Sequence, residues 1–245
     1  MIRLIEERSF NAWPALQTII YDGWMLHFAR GYSKRANSIK PLYASSIDIH
    51  EKIARCEQLY ESQQLDVIFK VIPELHGPEL DHILASRGYR FADEVSMQIA
   101  DLRTLLDASG PRSVNHTDKA NDEWISAYCR LSHQISERAR ETMTAMLSSI
   151  VPKTCFASIE VDGQPLACGF GVCEGNTVGL FDIVTDTDRR RQGYGEALVR
   201  YLMQWGKTQG AAYAYLQVVA SNVPAVSLYH KLGFRESHRH WYRIR

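Results

Sequence analysis

Apolar and polar residues alternate along the chain in a way that divides it into short strands and amphipathic helices. Four apolar runs before residue 100 are typical of strands: 22–29, 36–43, 66–72 and 94–99. Apolar residues at helical spacing predict a helix between the second and third of these: Ile49, Ile53, Cys56 and Tyr60. Ser46 or Asp48 is placed to cap its start, and residues 79–86 predict a second, shorter helix.

The same alternation continues after residue 113. Helical spacing predicts four more helices: 122–134, 137–149, 195–208 and 223–231. Between them lie five strand candidates: 154–161, 165–174, 178–184, 212–219 and a closing strand from Phe234. Asp162-Gly163 predicts a hairpin turn between the first two of these strands. The pattern predicts an α/β fold, a mixed α+β sheet flanked by helices.

The strongest linker signal is Asp107-Ala-Ser-Gly-Pro-Arg-Ser113, which is small and polar with a Gly-Pro break. We therefore predict a first domain over residues 1–108 and a second over residues 113–245.

An internal repeat relates these two domains. Sliding the chain on itself by 145 positions places Gly88 on Gly233 and Tyr89 on Phe234. The match extends upstream through the helix, strand, helix and turn, although few residues are identical. We interpret the chain as two copies of one α/β unit in tandem.

Charge and composition limit the possible partners. Lys and Arg together number 28, as do Asp and Glu, so no whole-protein field recruits nucleic acid or an anionic membrane. Five cysteines without Cys-x-x-Cys spacing suit reduced thiols, and neither an export signal nor an apolar run of membrane-spanning length is seen. We expect a soluble, cytoplasmic protein.

A basic glycine loop carries the first chemical signal. Arg189-Arg-Arg-Gln-Gly193-Tyr-Gly195 lies between a predicted strand and a predicted helix. Free N–H groups at a helix start, approached closely through glycine, form a site for phosphate. The loop lacks the third glycine of the dinucleotide fingerprint and the Gly-Lys-Ser/Thr ending of the P-loop.

A second motif follows downstream, Asn222-x-x-Ala225-x-x-Leu228-Tyr229-x-x-Leu232-Gly233-Phe234. With the strand 178–184 and the glycine loop, it resembles the GNAT superfamily of acetyl-CoA-dependent N-acyltransferases. The resemblance is strong over residues 113–245. The first half resembles the degenerate half of tandem members, because the repeat places Asp48 and His50 where the second half has Gly193 and Gly195.

This resemblance implies roles for individual residues. Backbone groups of Ile183 and Val184 would bind the pantetheine arm of acetyl-CoA. The pyrophosphate would be held by the loop and the helix start: Arg190, Arg191, Gln192, Gly193, Tyr194, Gly195 and Glu196. Asn222 and Ala225 would lie where two parallel strands separate, and Tyr229 would act as general acid for the departing thiolate.

The chemistry also requires a general base, because an amine attacks a thioester only after losing its proton. Asp182 is the first candidate, with Glu174 and Glu137 behind it. Alternatives remain open: Tyr229 as a core residue, Asn222 as a helix cap, and Asp182 as a turn cap or a partner for arginine. A non-catalytic sensor or scaffold that binds coenzyme A is the rival function, and a nucleotide-binding regulator is a weaker one.

The expected acceptor is a primary amine of a small molecule, a peptide N-terminus or a lysine. Its pocket has five candidate lining residues: Trp24, Glu94, Tyr128, His133 and Glu137. We expect no metal at His238 and His240, no nucleic-acid site in the basic stretch 235–245, no membrane partner and a monomer, in which the paired halves imitate a dimer of single-domain relatives.

Overall fold

The computed structural model describes residues 1–104, 113–133 and 136–245. Its helices are α1 (Ile2–Ala12), α2 (Ile49–Ser62), α3 (Pro73–His76), α4 (Glu79–Ser86), α5 (Asp122–Ser132), α6 (Glu137–Ser148), α7 (Tyr194–Thr208) and α8 (Val223–Lys231). Its strands are β1 (Gln17–Tyr21), β2 (Trp24–Phe28), β3 (Ile39–Pro41), β4 (Ile68–Val71), β5 (Arg90–Asp101), β6 (Asn115–Thr117), β7 (Lys153–Val161), β8 (Gln164–Glu174), β9 (Thr177–Thr185), β10 (Tyr213–Val219) and β11 (Arg235–Ile244).

The strands form one mixed sheet in the order β1-β2-β3-β4-β11-β5-β10-β9-β8-β7-β6. Two neighbouring pairs are parallel, β3 with β4 and β9 with β10. The predicted α/β fold with a mixed sheet flanked by helices is confirmed. The predicted linker lies outside the described residues except for Ser113, as does Gln134 at the end of the predicted helix 122–134.

Several predicted bounds agree with the observed ones, and α4 and α8 begin and end as expected. The strand predicted over 36–43 is much shorter, because Asn37 folds the preceding loop: its Oδ1 accepts hydrogen bonds from the N–H groups of Ala29 (2.7 Å) and Gly31 (3.0 Å). The prediction missed α1, because Glu6 and Ser9 interrupt its apolar face and both are fully buried.

The two halves of the chain share the centre of the sheet by exchanging a strand. β5 follows α4 in the first half but pairs antiparallel with β10, from Tyr213↔Asp101 to Val219↔Val95. β11 follows α8 in the second half but pairs with β4, from Trp241↔Val71 to Ile244↔Ile68. Each half therefore completes the sheet of the other.

The element order of the first half returns in the second. The elements α2, β4 and β5 begin at residues 49, 68 and 90, and α7, β10 and β11 begin 145 residues later, at 194, 213 and 235. The parallel pair β3 and β4 corresponds in this order to the parallel pair β9 and β10. The glycine loop and α7 follow β9 and lead to β10, so this pair of strands positions the candidate site.

Candidate active site

The parallel strands β9 and β10 separate partway along their length. Their pairing runs from Thr177↔Tyr213 to Leu180↔Leu216 and stops there, although β9 continues to Thr185 and β10 to Val219. On its other side β9 stays paired with β8, up to Ala167↔Thr185. Residues 181–185 therefore present one backbone edge towards the opening, where an extended amide group can add as a strand does.

A β-bulge shapes β9 at this opening. The register with β8 shifts between Cys168 and Phe170, and Asp182 adopts a left-handed backbone with φ of 50°. A bulge re-aims the side chains beside it. Ile183 and Val184, which the resemblance places against pantetheine, lie directly after the bulge and are half-buried.

The glycine loop meets α7 at an open helix start. Gly193 is the N-cap residue with φ of 85°, and no side chain caps the first turn. Arg191 is also left-handed, with φ of 61°, and the three arginines 189–191 are exposed. A helix start without a side-chain cap, at the positive end of the helix dipole, favours an anion here.

Gly195 lies close to the end of β9 and to α8. A β-carbon at this residue would lie 3.2 Å from Thr185 Oγ1 and 3.7 Å from Leu228 Cδ2. The start of α7 is thus held close to the end of β9 and to α8, so the loop and the opening between β9 and β10 form one continuous site. The residues present therefore fit a ligand with a phosphate group at one end and an amide-containing arm at the other.

The Glu196 side chain joins two helices. Its carboxylate accepts hydrogen bonds from Lys231 of α8 (2.7 Å) and Arg200 of α7 (3.1 Å). These two cations lower its pKa, Lys231 most strongly, against a smaller opposite effect of burial. Glu196 therefore offers only its backbone N–H group to an anion.

Asn222 caps α8, as one of the open alternatives expected. Its Oδ1 accepts a hydrogen bond from the N–H of Ala225 at 3.3 Å. The cap sets the start of α8 at the end of β10 that separates from β9.

Tyr229 of α8 combines a buried ring with a free hydroxyl. The ring packs edge-on against Phe234, with centroids 5.9 Å apart, and the residue is 8% exposed. Burial raises the pKa of Tyr229 to about 12, so the hydroxyl stays protonated at neutral pH. Among the described residues this hydroxyl has no hydrogen-bond partner, which leaves its proton available to a ligand.

Asp182 lies in the part of β9 that borders the opening. Its side chain is 8% exposed, and Arg35 Nη2 lies 3.5 Å from its Oδ1. Burial raises the pKa of Asp182, although Arg35 opposes this shift. Its Oδ2 has no hydrogen-bond partner among the described residues.

The other two base candidates lie elsewhere. Glu174 is paired with Thr177 at the far end of β9, and its carboxylate accepts a hydrogen bond from Asn11 (2.9 Å). Asp182 is five residues further along the strand, roughly 16 Å at 3.3 Å per residue. Glu137 is exposed in the first turn of α6.

The structure places the predicted lining residues of the acceptor pocket in different parts of the molecule. Tyr128 of α5 lies beside Asp182, whose charge adds to burial in raising the pKa of Tyr128. Trp24 is wrong as a lining residue, because it is buried in the core of the first half against Phe69. Glu94 pairs with Arg239 on the surface, and His133 ends α5 in a left-handed conformation.

Three residues that sequence reasoning missed border the opening. Arg35 and Trp13 come from the first half, and Gln217 from β10, where its Nε2 donates to Ser9 Oγ (2.8 Å). Gln217 follows Leu216, the last β10 residue paired with β9. Its only signal in the sequence was its place within the predicted strand 212–219. Arg35 and Trp13 carried none.

In the first half, side chains occupy the corresponding helix start, that of α2. Asp48 caps α2 by accepting hydrogen bonds from the N–H groups of His50 (2.9 Å) and Glu51 (3.1 Å). The loop before it wraps around the carboxylate of Asp22, which accepts from the N–H groups of Ser46 and Ile47, both at 2.9 Å. In the first half, carboxylates of the chain itself thus occupy the start of α2 and the loop before it.

His238 and His240, the two histidines considered for a metal, are both buried. His238 binds the buried Glu6 at 2.9 Å, while neither ring nitrogen of His240 has a partner among the described residues. In that part of the chain, no group of three or more His, Cys, Asp or Glu is placed to hold a metal. The described helices are too short or too polar to cross a membrane.

Two surface pockets lie away from this site. They measure about 680 and 340 Å³ and meet at Val151 and Pro152, before β7. The smaller is lined by Glu174 at the far end of β8. Neither lining includes residues 181–185, so neither pocket belongs to the opening between β9 and β10.

Comparisons with known proteins agree with this architecture. The family described as "Probable histone acetyltransferase Rv0428c C-terminal" matches residues 1–243. The chain is 31% identical over 250 aligned residues to the "Uncharacterized N-acetyltransferase YobR" of Bacillus subtilis, covering 100% of this chain and 98% of that protein.

Solved structures share the fold at low sequence identity. A GCN5-related N-acetyltransferase from Kribbella flavida has a TM-score of 0.71 at 15% identity, over 99% of this chain and 93% of that one. A tandem GNAT protein from the clavulanic acid biosynthesis pathway has a TM-score of 0.65 at 13% identity, over 85% of this chain and 74% of that one.

Proposed function

Because this chain belongs to the family of the Rv0428c C-terminal domain and is a GNAT-type N-acetyltransferase, we propose that it binds acetyl-CoA between β9 and β10 and acetylates a primary amine by direct attack. The observation that carries this assignment is the continuity of an uncapped helix start at Gly193 with the gap beyond Leu180. Acetyltransferases of this type use acetyl-CoA, which supplies an acetyl group activated as a thioester.

The residues of the loop and strand bind the cofactor in this proposal. N–H groups from Arg191 to Glu196 hold the pyrophosphate, and the exposed arginines Arg190 and Arg191 attract it. The backbone of Ile183 and Val184 binds the pantetheine arm. Asn222 and Ala225 keep the start of α8 clear of the gap through their cap hydrogen bond.

Two side chains move protons. Asp182 accepts the proton of the amine, which its buried position and the unpartnered Oδ2 support. Tyr229 donates a proton to the leaving sulfur, which its pKa of about 12 and free hydroxyl support. No covalent bond to the enzyme is needed, and burial raises the pKa of the cysteines Cys155 and Cys168, which suits inert thiols.

The acceptor is a primary amine of a small molecule, a peptide N-terminus or a lysine. The family name refers to a histone acetyltransferase, which favours a lysine or peptide amine as the first acceptor to test.

The two halves are copies of one unit, with one active site per chain. The equal spacing of their elements supports the duplication, and the closed start of α2 supports a single cofactor site. Since the exchange of β5 and β11 pairs the halves within one chain, we propose a monomeric, cytoplasmic enzyme. Gel filtration tests the monomer.

Calorimetric titration with acetyl-CoA tests the binding site, and release of free thiol with a panel of amines, polyamines and lysine peptides tests the reaction. We expect one acetyl-CoA per chain and thiol release with at least one acceptor. Absence of binding at a hundredfold excess over a micromolar-range Kd would overturn the proposal.

A further inference from the structure

The loop 30–37 of the first half holds one arginine in a fixed position. The Asn37 side chain accepts hydrogen bonds from the N–H groups of Ala29 and Gly31 and donates one to the carbonyl of Ser33 (3.1 Å). Asn37 is 2% exposed, so these bonds are shielded from water. Arg35 extends from this loop towards the second half.

Aromatic rings hold the guanidinium group of Arg35. Its central carbon lies 4.6 Å from the ring centre of Trp13 in the segment after α1 and 5.8 Å from that of Phe181 in β9. Trp13 and Phe181 are themselves stacked, with centroids 6.5 Å apart. A planar cation against aromatic faces has few accessible orientations.

The held guanidinium group faces Asp182. Its Nη2 lies 3.5 Å from Oδ1, whereas Oδ2 has no hydrogen-bond partner among the described residues. Among the described residues, the titratable groups that face this carboxylate besides Arg35 are Tyr128 from α5 and Cys168 from β8, and burial raises the pKa of both, so both are neutral. A hydrogen bond from Tyr128 adds to the effect of Arg35 in lowering the pKa of Asp182. Arg35 is therefore the cation that stabilises the ionised form of Asp182.

We propose that Arg35 is a positioning residue that the first half contributes to the active site of the second: it holds Oδ1 of Asp182 and keeps the carboxylate ionised, so that Oδ2 can accept the proton of the amine. This inference rests on the proposed role of Asp182 as general base. It gives the first half a part in catalysis although its own helix start is closed by Asp48.

The pH dependence of kcat/KM is the decisive readout. Burial raises the pKa of Asp182 and Arg35 lowers it, so removing the cation in Arg35→Met will move the acidic limb of the profile to higher pH. The expected shift is upward, because a nearby opposite charge favours the ionised form of a carboxyl and Arg35→Met removes that charge. Arg35→Lys, which retains a charge, will shift the limb less, and both variants will bind acetyl-CoA with wild-type Kd.

Two controls separate the possible outcomes. Lys34→Met removes the neighbouring cation, which pairs with Asp93 on the surface, and will leave the limb unchanged. Arg35→Met with lower activity but an unmoved acidic limb overturns the positioning role alone, provided that Asp182→Asn is inactive. An active Asp182→Asn overturns the assignment of the base as well. Should Arg35→Met fail to fold, Arg35→Gln removes the charge in its place, and an unmoved acidic limb in Arg35→Gln overturns the inference.

Discussion

Asp48 and Gly193 stand at the same position of two corresponding helices, one residue before α2 and one before α7. Asp48 closes its helix start with its own carboxylate, whereas Gly193, with φ of 85°, leaves the N–H groups of α7 without a side-chain cap. A single residue type at the cap thus separates a helix start closed by its own side chain from one that no side chain caps.

Exchanging these residue types tests that separation. Gly193→Asp places a carboxylate where the phosphate is proposed to bind, and we expect acetyl-CoA affinity to fall by more than about 100-fold, since a charge-assisted contact is replaced by like-charge repulsion. The matched control Asp48→Gly removes the side-chain cap of α2, which costs only about a few tenths of a kcal/mol, and leaves the Kd unchanged. Calorimetry and thermal unfolding measure both effects; equal affinity in Gly193→Asp and wild type contradicts the site.

The hydroxyl of Tyr229 is expected to serve catalysis and not stability. Since it has no hydrogen-bond partner among the described residues, Tyr229→Phe will change the free energy of unfolding by less than about 0.5 kcal/mol. Loss of a general acid lowers kcat by about 100-fold or more, with the Kd of acetyl-CoA unchanged. Tyr201→Phe, which removes a surface hydrogen bond to His116 (2.7 Å), is the control and will keep full activity. A Tyr229→Phe enzyme with wild-type kcat rules out the assigned proton donor.

The buried pair of Glu6 and Lys70 anchors α1 to the centre of the sheet. Burial by itself raises the pKa of Glu6, but Lys70 and His238 together hold it well below its ordinary value of 4.5. Glu6→Gln leaves Lys70 buried without a counter-charge, so we expect a loss of about 3 to 5 kcal/mol at pH 7 in urea unfolding.

The sign of the pH effect follows from this depressed pKa. A carboxyl with a lowered folded-state pKa stabilises the protein above its unfolded pKa, and that contribution is lost as the pH falls below about 4.5. The difference between wild type and Glu6→Gln will therefore shrink on acidification. Asp93→Asn, which removes the exposed ion pair between Asp93 and Lys34, is the control and will lower the free energy of unfolding by less than about 1 kcal/mol. A constant difference between pH 7 and pH 3 refutes the coupling.

The strand exchange makes each half depend on the other. A chain cut within residues 105–112 yields one fragment without β11 beside β4 and another without β5 beside β10. We expect neither fragment alone to unfold cooperatively, and the co-expressed pair to regain cooperative unfolding and acetyl-CoA binding. Circular dichroism and calorimetry check this. The prediction fails if residues 113–245 alone melt cooperatively and bind acetyl-CoA as tightly as the intact chain.

Most helices and strands were predictable because their signals are local. Helix α4 was predicted at its observed bounds from apolar spacing alone, and Asp48 was among the predicted caps. Helix α1 was missed because Glu6 and Ser9 lie on its buried face, where only distant partners such as Lys70 and Gln217 make them tolerable.

The position of the exchanged strands was beyond any local pattern. β5 and β11 each follow a helix and a turn of the same type, Gly88-Tyr89 and Gly233-Phe234. The local sequence therefore does not predict which strand each of them pairs with. Pairing along the whole sheet decides it, through contacts such as Tyr242↔Lys70 and Ala214↔Ala100.

By itself the sequence determined the α/β class, the glycine loop before α7 and the motif from Asn222 to Phe234, because each depends on residues close together in the chain. Only the tertiary structure brought Arg35 to Asp182, 147 positions apart, and joined the two halves through exchanged strands. Such contacts depend on burial and charge at a meeting point that several elements create together, and no single stretch of sequence contains them.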